Sequence, residues 1–305
     1  KMKIALIQSS LTWENPKANR NYFEEKINAL TENVDLIVLP EMFTTGFTMK
    51  PEVVFETMEG KTVSWLLSLA KAKNSAITGS LVIKENDNFF NRLVFVFPSG
   101  EIQCYDKRHL FSLAGEDKVY TSGREKLIVE YLGWKICPLI CYDLRFPVFT
   151  RNVEEYDVLL YVANWPKQRI NAWDILLKAR SVENMCYAIG VNRIGFDNNN
   201  LQYNGHSQGV DFLGNYIMEP LETEGVFVIE LNKDKLIETR NKLGFLNDRD
   251  GFELKTRFFR LLFHFFLFGF WCVRDTQIKY LFDIPIGTNV NFFRKIYDFF
   301  WLKFF

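Results

Sequence analysis

The chain has 305 residues, of which 48% are hydrophobic and 24% are charged, a balance typical of a globular protein with a large core. Its 37 Lys and Arg residues equal its 37 Asp and Glu residues, so the formal net charge is zero. Without a net charge, nothing draws the protein to nucleic acid or to an anionic membrane, and we expect neither as a partner. Any charge selectivity must come from individual residues in a pocket.

The cysteine content and the first residues favour a cytoplasmic protein. The number of cysteines is odd, and no pair has the C-x-x-C spacing of a zinc site. Reduced thiols are typical of the cytoplasm. The first residues enter a strand-like segment directly and show no signal-peptide pattern. The cysteines are Cys104, Cys137, Cys141, Cys186 and Cys272.

Short runs rich in β-branched residues alternate with helical patterns up to about residue 193. Several strand-like runs are continuously apolar, which is expected of strands covered on both faces. The alternation predicts an α/β layered fold. Strands are predicted at residues 4–8, 36–39, 76–83, 93–97, 136–140, 158–162 and 187–191, followed by a strand, turn and strand at 207–213, 214–215 and 226–231. Helices are predicted at residues 16–29, 61–73 and 172–185.

The segment from residue 255 to residue 305 differs in composition, because it holds fourteen of the thirty phenylalanines. Its apolar run at 261–271 is shorter than the ~18 residues that a membrane-spanning helix needs, and Arg260, His264 and Arg274 interrupt or flank it. We therefore expect no membrane-spanning helix, and membrane association through this Phe-rich segment is kept only as an alternative. An oligomer contact, an interfacial segment and a non-native extension all remain open, and no function is assigned to the segment.

Three polar residues follow strand-like runs, and together they could perform nucleophilic catalysis. Glu41 comes just after the run at 36–39, behind Pro40, which cannot donate to a sheet ladder. Lys107 follows a short hydrophobic stretch, and Cys141 ends the strand at 136–140. Because strand ends converge at one edge of an α/β sheet, we expect the three side chains to meet there.

The expected chemistry needs a cysteine, a base and a cation. A nearby ammonium group should lower the pKa of Cys141 from ~8.5 toward neutrality. Glu41 could accept the thiol proton and later return it to a departing amine. Lys107 and the backbone N–H of Tyr142 could stabilise an oxyanion. No cofactor is needed, and the scattered His109, His206 and His264 imply no metal.

Taken singly, each residue also has a plain structural interpretation. Glu41 could be a solvated carboxylate in a loop. Lys107 stands between Asp106 and Arg108, as a surface lysine would. Cys141 could be a structural thiol, since free cysteine is among the most buried residue types.

Three sequence strings resemble the signature blocks of the nitrilase superfamily, in the order and spacing typical of that family. They are LPEMF at 39–43, YDKRHLF at 105–111 and ICYDLRFP at 140–147. The resemblance extends over residues 2–254, the predicted carbon-nitrogen hydrolase domain, and leaves 255–305 as an extension. It implies a four-layer αββα sandwich that pairs with a second copy into a larger sandwich, as a homodimer or a higher homo-oligomer.

The resemblance also implies a catalytic triad of Glu41, Lys107 and Cys141. Many members of the family have a second glutamate that assists the triad. Glu116 matches that position, although the neighbouring Asp117 leaves the placement open.

Within the superfamily, the strings at 41–47, 109–112 and 163–166 are most similar to the omega-amidase branch. Such enzymes hydrolyse the terminal amide of small ω-amides of 2-oxo dicarboxylic acids, such as 2-oxoglutaramate, and release ammonia through a cysteine thioester. Their substrate has a carboxylate at the end remote from the amide. Guanidinium groups bind carboxylates in a bidentate manner, so Arg145 is the first candidate for a clamp and Arg169 the second.

The remaining pocket residues have competing interpretations. Apolar walls are expected from Phe43, Phe111 and Trp165, although aromatic side chains are also typical of a core. Arg145 could instead form an ion pair with Asp143.

Two other functions remain open. One is a different hydrolase of the same fold that acts on an N-carbamoyl amine or a nitrile. The other is a catalytically inert interaction scaffold, which the intact Glu, Lys and Cys argue against.

Overall fold

The computed structural model describes residues 1–254, so the extension predicted at 255–305 lies outside the described residues. Residues 1–252 form one compact unit. The domain boundary at residue 254 stays a prediction.

Two six-stranded mixed sheets form the centre of the fold. The first sheet has the order β14-β1-β2-β3-β4-β5, and the second has the order β13-β12-β9-β8-β7-β6. A hairpin, β10-β11, stands apart from both. The strands within residues 1–254 are β1 Met2–Gln8, β2 Leu36–Val38, β3 Ala76–Glu85, β4 Asn88–Val96, β5 Ile102–Asp106, β6 Val129–Tyr131, β7 Trp134–Ile140, β8 Val158–Ala163, β9 Tyr187–Asn192, β10 Ile194–Phe196, β11 Gln202–Asn204, β12 Ser207–Val210, β13 Tyr216–Leu221 and β14 Gly225–Leu231.

Helices connect the strands of the two sheets. They are α1 Pro16–Asn28, α2 Pro51–Val54, α3 Lys61–Lys73, α4 Glu116–Val119, α5 Pro147–Thr150, α6 Ile170–Asn184 and α7 Lys233–Leu243. Helix α1 begins at a proline behind Asn15, whose side chain accepts a hydrogen bond from the N–H of Ala18. This cap and first-turn pair is the one that the sequence predicts.

Alternation along β1 explains the layering. The side chains of Ala5 and Ile7 pack in one apolar cluster with α1 and α3. Those of Ile4 and Leu6 join a second cluster, which contains the strands of the other sheet. Because successive side chains of a strand point to opposite faces, the first sheet lies between a helical layer and the second sheet.

Helix α6 covers the outer face of the second sheet. The side chains of Trp173 and Leu177 lie so close to Gly190 of β9 that a Cβ atom there would be 2.4 Å from the indole ring. The order of layers is therefore helix, sheet, sheet, helix, and the αββα sandwich is confirmed.

Most differences from the sequence-based elements concern short or polar segments. The strands β5, β6, β10, β11 and β13 and the helices α2, α4, α5 and α7 were not predicted. In α7 the only buried residue is Leu236, so the helix lacks the apolar stripe by which a helix is recognised in sequence. No helix within residues 1–254 is long and apolar enough to cross a membrane.

Candidate active site

Glu41 lies just beyond β2, and its carboxylate is fully buried. The chain turns sharply after it, since Met42 has a left-handed φ of 43°. Oε1 accepts hydrogen bonds from Nζ of Lys107 and Nδ2 of Asn91, each at 2.8 Å. Oε2 accepts the backbone N–H of Asn164 at 2.8 Å. These three hydrogen bonds hold the carboxylate in one orientation.

Lys107 follows β5, and its side chain is buried between two carboxylates. Besides Glu41, its Nζ donates to both oxygens of Glu116, at 2.9 and 3.0 Å. Glu116 begins α4, is fully buried, and also accepts the backbone N–H of Phe111 at 2.6 Å. Asn91 donates to Glu116 as well as to Glu41, so one amide joins the two carboxylates.

Cys141 is the first residue after β7 and the first of a 3₁₀ turn, Cys141–Arg145. Its φ of 44° lies in the left-handed region, which a residue with a side chain rarely adopts. Its exposed fraction is 9%. Strain of this kind is typical of active sites, where the surrounding structure maintains it. The turn lifts the thiol from the strand into a cavity lined by Lys107 and Asn164.

The environment of Cys141 raises the pKa of its thiol well above the ordinary value. Burial is the main cause, followed by the negative charge of Glu41 and a hydrogen bond to its carboxylate, and Lys107 opposes them. Lys107 lowers this pKa as the sequence predicts, but the expected net shift toward neutrality is wrong, because burial and the charge of Glu41 outweigh the ammonium group.

The ammonium group itself stays protonated. Burial tends to lower the pKa of Lys107, but the carboxylates of Glu116 and Glu41 outweigh burial and raise this pKa. Burial raises the pKa of Glu116, and Glu41 adds to the rise while Lys107 opposes it. The site therefore holds a protonated thiol and an ammonium group that lies between the side chains of Glu41 and Glu116.

The predicted trio meets between two sheets and not at the edge of one sheet. Glu41 and Lys107 follow strands of the first sheet, whereas Cys141 and Asn164 follow β7 and β8 of the second. This corrects the sequence-based expectation of a single edge. The strand ends of the facing sheets converge, so residues distant in sequence become neighbours.

A cavity of about 200 Å³ opens above the thiol. Five of the predicted pocket residues line it: Phe111, Tyr142, Arg145, Trp165 and Arg169.

Both arginines of the cavity lie over aromatic faces. The guanidinium of Arg145 is 4.9 Å from the ring centre of Trp165, and that of Arg169 is 5.1 Å from the ring centre of Phe111. Such stacking holds a guanidinium group in a fixed plane.

The alternative pairing of Arg145 with Asp143 is absent from the ion pairs of residues 1–254. Asp143 instead accepts hydrogen bonds from Tyr105 and His109.

Phe43 does not line the cavity, and its predicted role as a pocket wall is corrected. The side chain is fully buried, with ring centres 5.4 Å from Phe23 of α1 and 6.3 Å from Trp65 of α3. The turn after Glu41 sends Phe43 to the helical side of the sheet. Phe47 and Met49, slightly further along the chain, line the cavity instead.

Sequence reasoning missed several residues of the site. Asn91 lies within β4, where no pattern marks it. Asn164 follows β8 and could have been found by the strand-end argument that selected Cys141. Another wall comes from the hairpin β10-β11, which the sequence presents only as a polar loop. Its cavity-lining residues are Asp197, Asn199, Leu201 and Tyr203.

A larger groove of about 820 Å³ lies elsewhere, between the β6-β7 turn and α7. Its charged groups are engaged with one another, since Lys233 and Arg240 both donate to Asp157. The groove lacks Glu41, Lys107 and Cys141, so the smaller cavity is the candidate active site.

Comparisons with known proteins point to one family. The sequence model described as carbon-nitrogen hydrolase matches residues 3–241. Omega-amidase YafV of Escherichia coli is 40% identical over 254 residues, which cover 83% of this chain and 98% of that relative. A 2-oxoglutaramate amidase of Bacillus subtilis is 30% identical over 253 residues, which cover 81% and 97%.

A solved structure agrees with these matches. It is a CN-hydrolase superfamily protein of Xanthomonas campestris with an arsenic adduct in its active site, and it is 43% identical to this chain. The superposition has a TM-score of 0.82 and covers 83% of this chain and 99% of that one.

Proposed function

The chain belongs to the carbon-nitrogen hydrolase family, and from that membership we propose that it hydrolyses the terminal amide of small ω-amides of 2-oxo dicarboxylic acids. A compound such as 2-oxoglutaramate would yield a dicarboxylate and ammonia. The observation that carries this proposal is a thiol and two arginines in one small cavity. The similar omega-amidase and 2-oxoglutaramate amidase support the substrate class.

The first step is attack of the Cys141 sulfur on the amide carbonyl carbon. Because its pKa is raised, the thiol is protonated, so a base must take the proton as the S–C bond forms. The carboxylate of Glu41, whose charge acts on the thiol, is that base. The carbonyl electrons move onto oxygen and give a tetrahedral oxyanion.

The oxyanion needs donors that are fixed in advance. Nζ of Lys107 is one, and the backbone N–H of Tyr142 is the other. Tyr142 lies in the first turn of the 3₁₀ helix Cys141–Arg145, where N–H groups have no partner within the helix. Lys107 is held by Glu41 and Glu116, so it enters the reaction already oriented.

Collapse of the oxyanion breaks the C–N bond. Glu41 returns its proton to the nitrogen, ammonia leaves, and Cys141 carries a thioester. Water then attacks the thioester carbon while Glu41 accepts a proton from it. The C–S bond breaks, the sulfur recovers a proton, and the carboxylic acid product departs. Glu116 assists by holding Lys107 in place.

The size and charge of the cavity support a small anionic substrate. A volume of about 200 Å³ is below the roughly 300–1,000 Å³ of pockets for drug-sized ligands. Arg145 is our first choice for the group that binds the remote carboxylate, and Arg169 is the second. The walls formed by Phe111 and Trp165 exclude water and keep the substrate extended.

A second copy of the chain is part of this proposal. Ile175 and Val182 of α6 are 57% and 50% exposed, and they are seven residues apart, so they share one face of the helix. Leu213 is 52% exposed, and the neighbouring Gly214 lies against Val182. We propose that this apolar strip contacts its equivalent in a homodimer. Light scattering of Val182→Glu should then report a monomer.

A cytoplasmic location also belongs to the proposal. The four cysteines within residues 1–254 are all free thiols. Free thiols are typical of a reducing compartment.

Ammonia release from a panel of substrates tests the function. We expect turnover of 2-oxoglutaramate and none of an N-carbamoyl amino acid or a nitrile, with Cys141→Ala as the blank. Consumption of the carbamoyl compound alone would refute the proposal. If no substrate is consumed and Cys141 also resists a thiol-reactive probe, the protein is an inert scaffold.

A further inference from the structure

One buried carboxylate outside the triad connects the nucleophile to the segment that carries the lysine. Asp143 is fully buried and stands two residues after Cys141, in the same 3₁₀ turn. Its Oδ2 accepts the N–H of Ile140 at 3.0 Å and the hydroxyl of Tyr105 at 2.7 Å. Its Oδ1 accepts the N–H of His109 at 3.0 Å and lies 2.7 Å from Nδ1 of that ring.

The residues that Asp143 contacts flank Cys141 and Lys107 in the sequence. Ile140 directly precedes Cys141, so its hydrogen bond to Asp143 closes the turn in which the nucleophile has its left-handed φ. Tyr105 and His109 lie two residues before and two residues after Lys107. Asp143 therefore holds the turn of Cys141 against the backbone that presents Lys107.

The imidazole of His109 strengthens the same connection. Since a carboxylate can only accept, Nδ1 of His109 carries the proton and donates it to Asp143. The ring also stacks on Phe146, with ring centres 3.7 Å apart and planes 5° from parallel. Phe146 immediately follows the turn Cys141–Arg145, so His109 contacts that turn by a hydrogen bond and by a stack.

We propose that Asp143 and His109 are positioning residues, which set the distance between the sulfur of Cys141 and the ammonium group of Lys107. They touch neither the triad side chains nor the cavity. Their effect is transmitted by the backbone from the second sheet to the first. The inference rests on the proposed function, because it concerns the same reacting groups.

The variant Asp143→Asn preserves the size of the side chain but replaces one carboxylate oxygen by an NH2 group. Both oxygens accept hydrogen bonds in the wild type, so the NH2 group would face donors and those bonds would be lost. A shift near 1 Å in reacting groups can cost about 100-fold in rate, so we expect kcat to fall about 100-fold while KM stays within about twofold. The alkylation rate of Cys141 by iodoacetamide, followed on its own peptide by mass spectrometry, should also fall about tenfold or more.

Asp157→Asn is a matched control. Asp157 is also a buried carboxylate with several donors, namely the N–H of Lys135, Nζ of Lys233 and Nη1 of Arg240. It lies at the opposite end of β8 from Asn164, roughly 20 Å from the cavity at about 3.3 Å per residue. This variant should lose stability but preserve kcat and the alkylation rate of Cys141.

The outcomes separate the inference from the proposed function. Asp143→Asn could lose stability to the same extent as Asp157→Asn and still have the wild-type kcat and alkylation rate. In that case Asp143 has only a structural role and the inference is overturned. If the wild-type protein hydrolyses no ω-amide, the proposed function fails, and the alkylation rates alone still decide the inference.

A second pair of variants serves if Asp143→Asn does not fold. His109→Asn preserves a donor near the position of Nδ1, whereas His109→Phe preserves only the ring. We expect kcat to survive in the first and to fall about tenfold in the second, as loss of a hydrogen bond to a charged group implies. Equal kcat in the two variants would overturn the inference.

Discussion

The ammonium nitrogen of Lys107 lies 2.8 Å from Oε1 of Glu41, and both side chains are fully buried. A buried ion pair adds little net stability, because both ions lose their hydration. Removing one partner is far more costly, since the other charge is then left without compensation. Here Lys107 compensates two carboxylates at once, because Glu116 lies 2.9 Å away on its other side. Substitutions within this group should therefore change both activity and folding.

Lys107→Met should be inactive and markedly less stable. Methionine preserves the length of the side chain but leaves Glu41 and Glu116 facing each other without a cation. We expect a loss of about 3–5 kcal/mol in the free energy of unfolding, measured by urea denaturation. Near-native stability with lost activity would show that the carboxylates do not depend on Lys107. Native activity would remove Lys107 from the mechanism.

Cys141→Ala should abolish ammonia release but leave the fold intact. Alanine also carries a Cβ, so the left-handed conformation at this position is no more strained than with cysteine. The circular dichroism spectrum and the midpoint of unfolding should stay close to wild type. Residual turnover near the wild-type rate would exclude Cys141 as the nucleophile.

Glu116→Gln tests which acid assists the triad. Glutamine can still accept one hydrogen bond from Lys107 but has lost the charge and one acceptor. A hydrogen bond to a charged group is worth about 1.5–3 kcal/mol, so kcat should fall about 10- to 100-fold. Asp117→Asn is the control, because Asp117 is exposed beside it and should be neutral. If kcat instead falls in Asp117→Asn and not in Glu116→Gln, Asp117 is the acid that assists the triad.

The site illustrates what sequence can and cannot predict. Glu41, Lys107 and Cys141 could be found because a polar residue after an apolar run is conspicuous. The position of Phe43 could not be predicted, because it depends on the left-handed turn at Met42, which the residue type does not indicate. The high pKa of Cys141 could not be predicted either, since it depends mainly on how deeply the thiol is buried and on the nearby charge of Glu41.

The fold was predictable to a similar extent. Continuous apolar strands indicate that both faces are covered, but not whether a helix or a second sheet covers them. In β1 the residues Ala5 and Ile7 face helices while Ile4 and Leu6 face the other sheet, and all four are apolar. Only the family resemblance supplied the two-sheet arrangement.

Stability should fall as pH rises above about 8.5. Burial raises the pKa of Cys186 to about 12 and that of Cys137 still further. The unfolded chain releases these protons near pH 8.5, whereas the folded chain keeps them. Above its pKa in the unfolded chain, each thiol therefore lowers the free energy of unfolding by up to about 1.4 kcal/mol per pH unit. The decrease stops when the pH reaches the pKa of the thiol in the folded protein.

Urea unfolding at pH 8 and pH 9.5 measures this effect. The free energy of unfolding should fall less between pH 8 and pH 9.5 in Cys186→Ala than in the wild type. The difference should be roughly 1–2 kcal/mol, because the variant lacks the contribution of this thiol. An unchanged loss in Cys186→Ala would mean that this thiol ionises equally in both states.

Arg145→Met should separate binding of the remote carboxylate from catalysis. Breaking a desolvated charge pair costs about 2–5 kcal/mol, so KM for 2-oxoglutaramate should rise about 30-fold or more. A linear amide without a carboxylate should be hydrolysed by the variant and the wild type at similar kcat/KM, because it has no partner for the guanidinium. Arg169→Met is the matched comparison, since both arginines lie over aromatic faces of the same cavity. If the rise in KM occurs only in Arg169→Met, the clamp is Arg169, and if it occurs in neither variant, the carboxylate binds elsewhere.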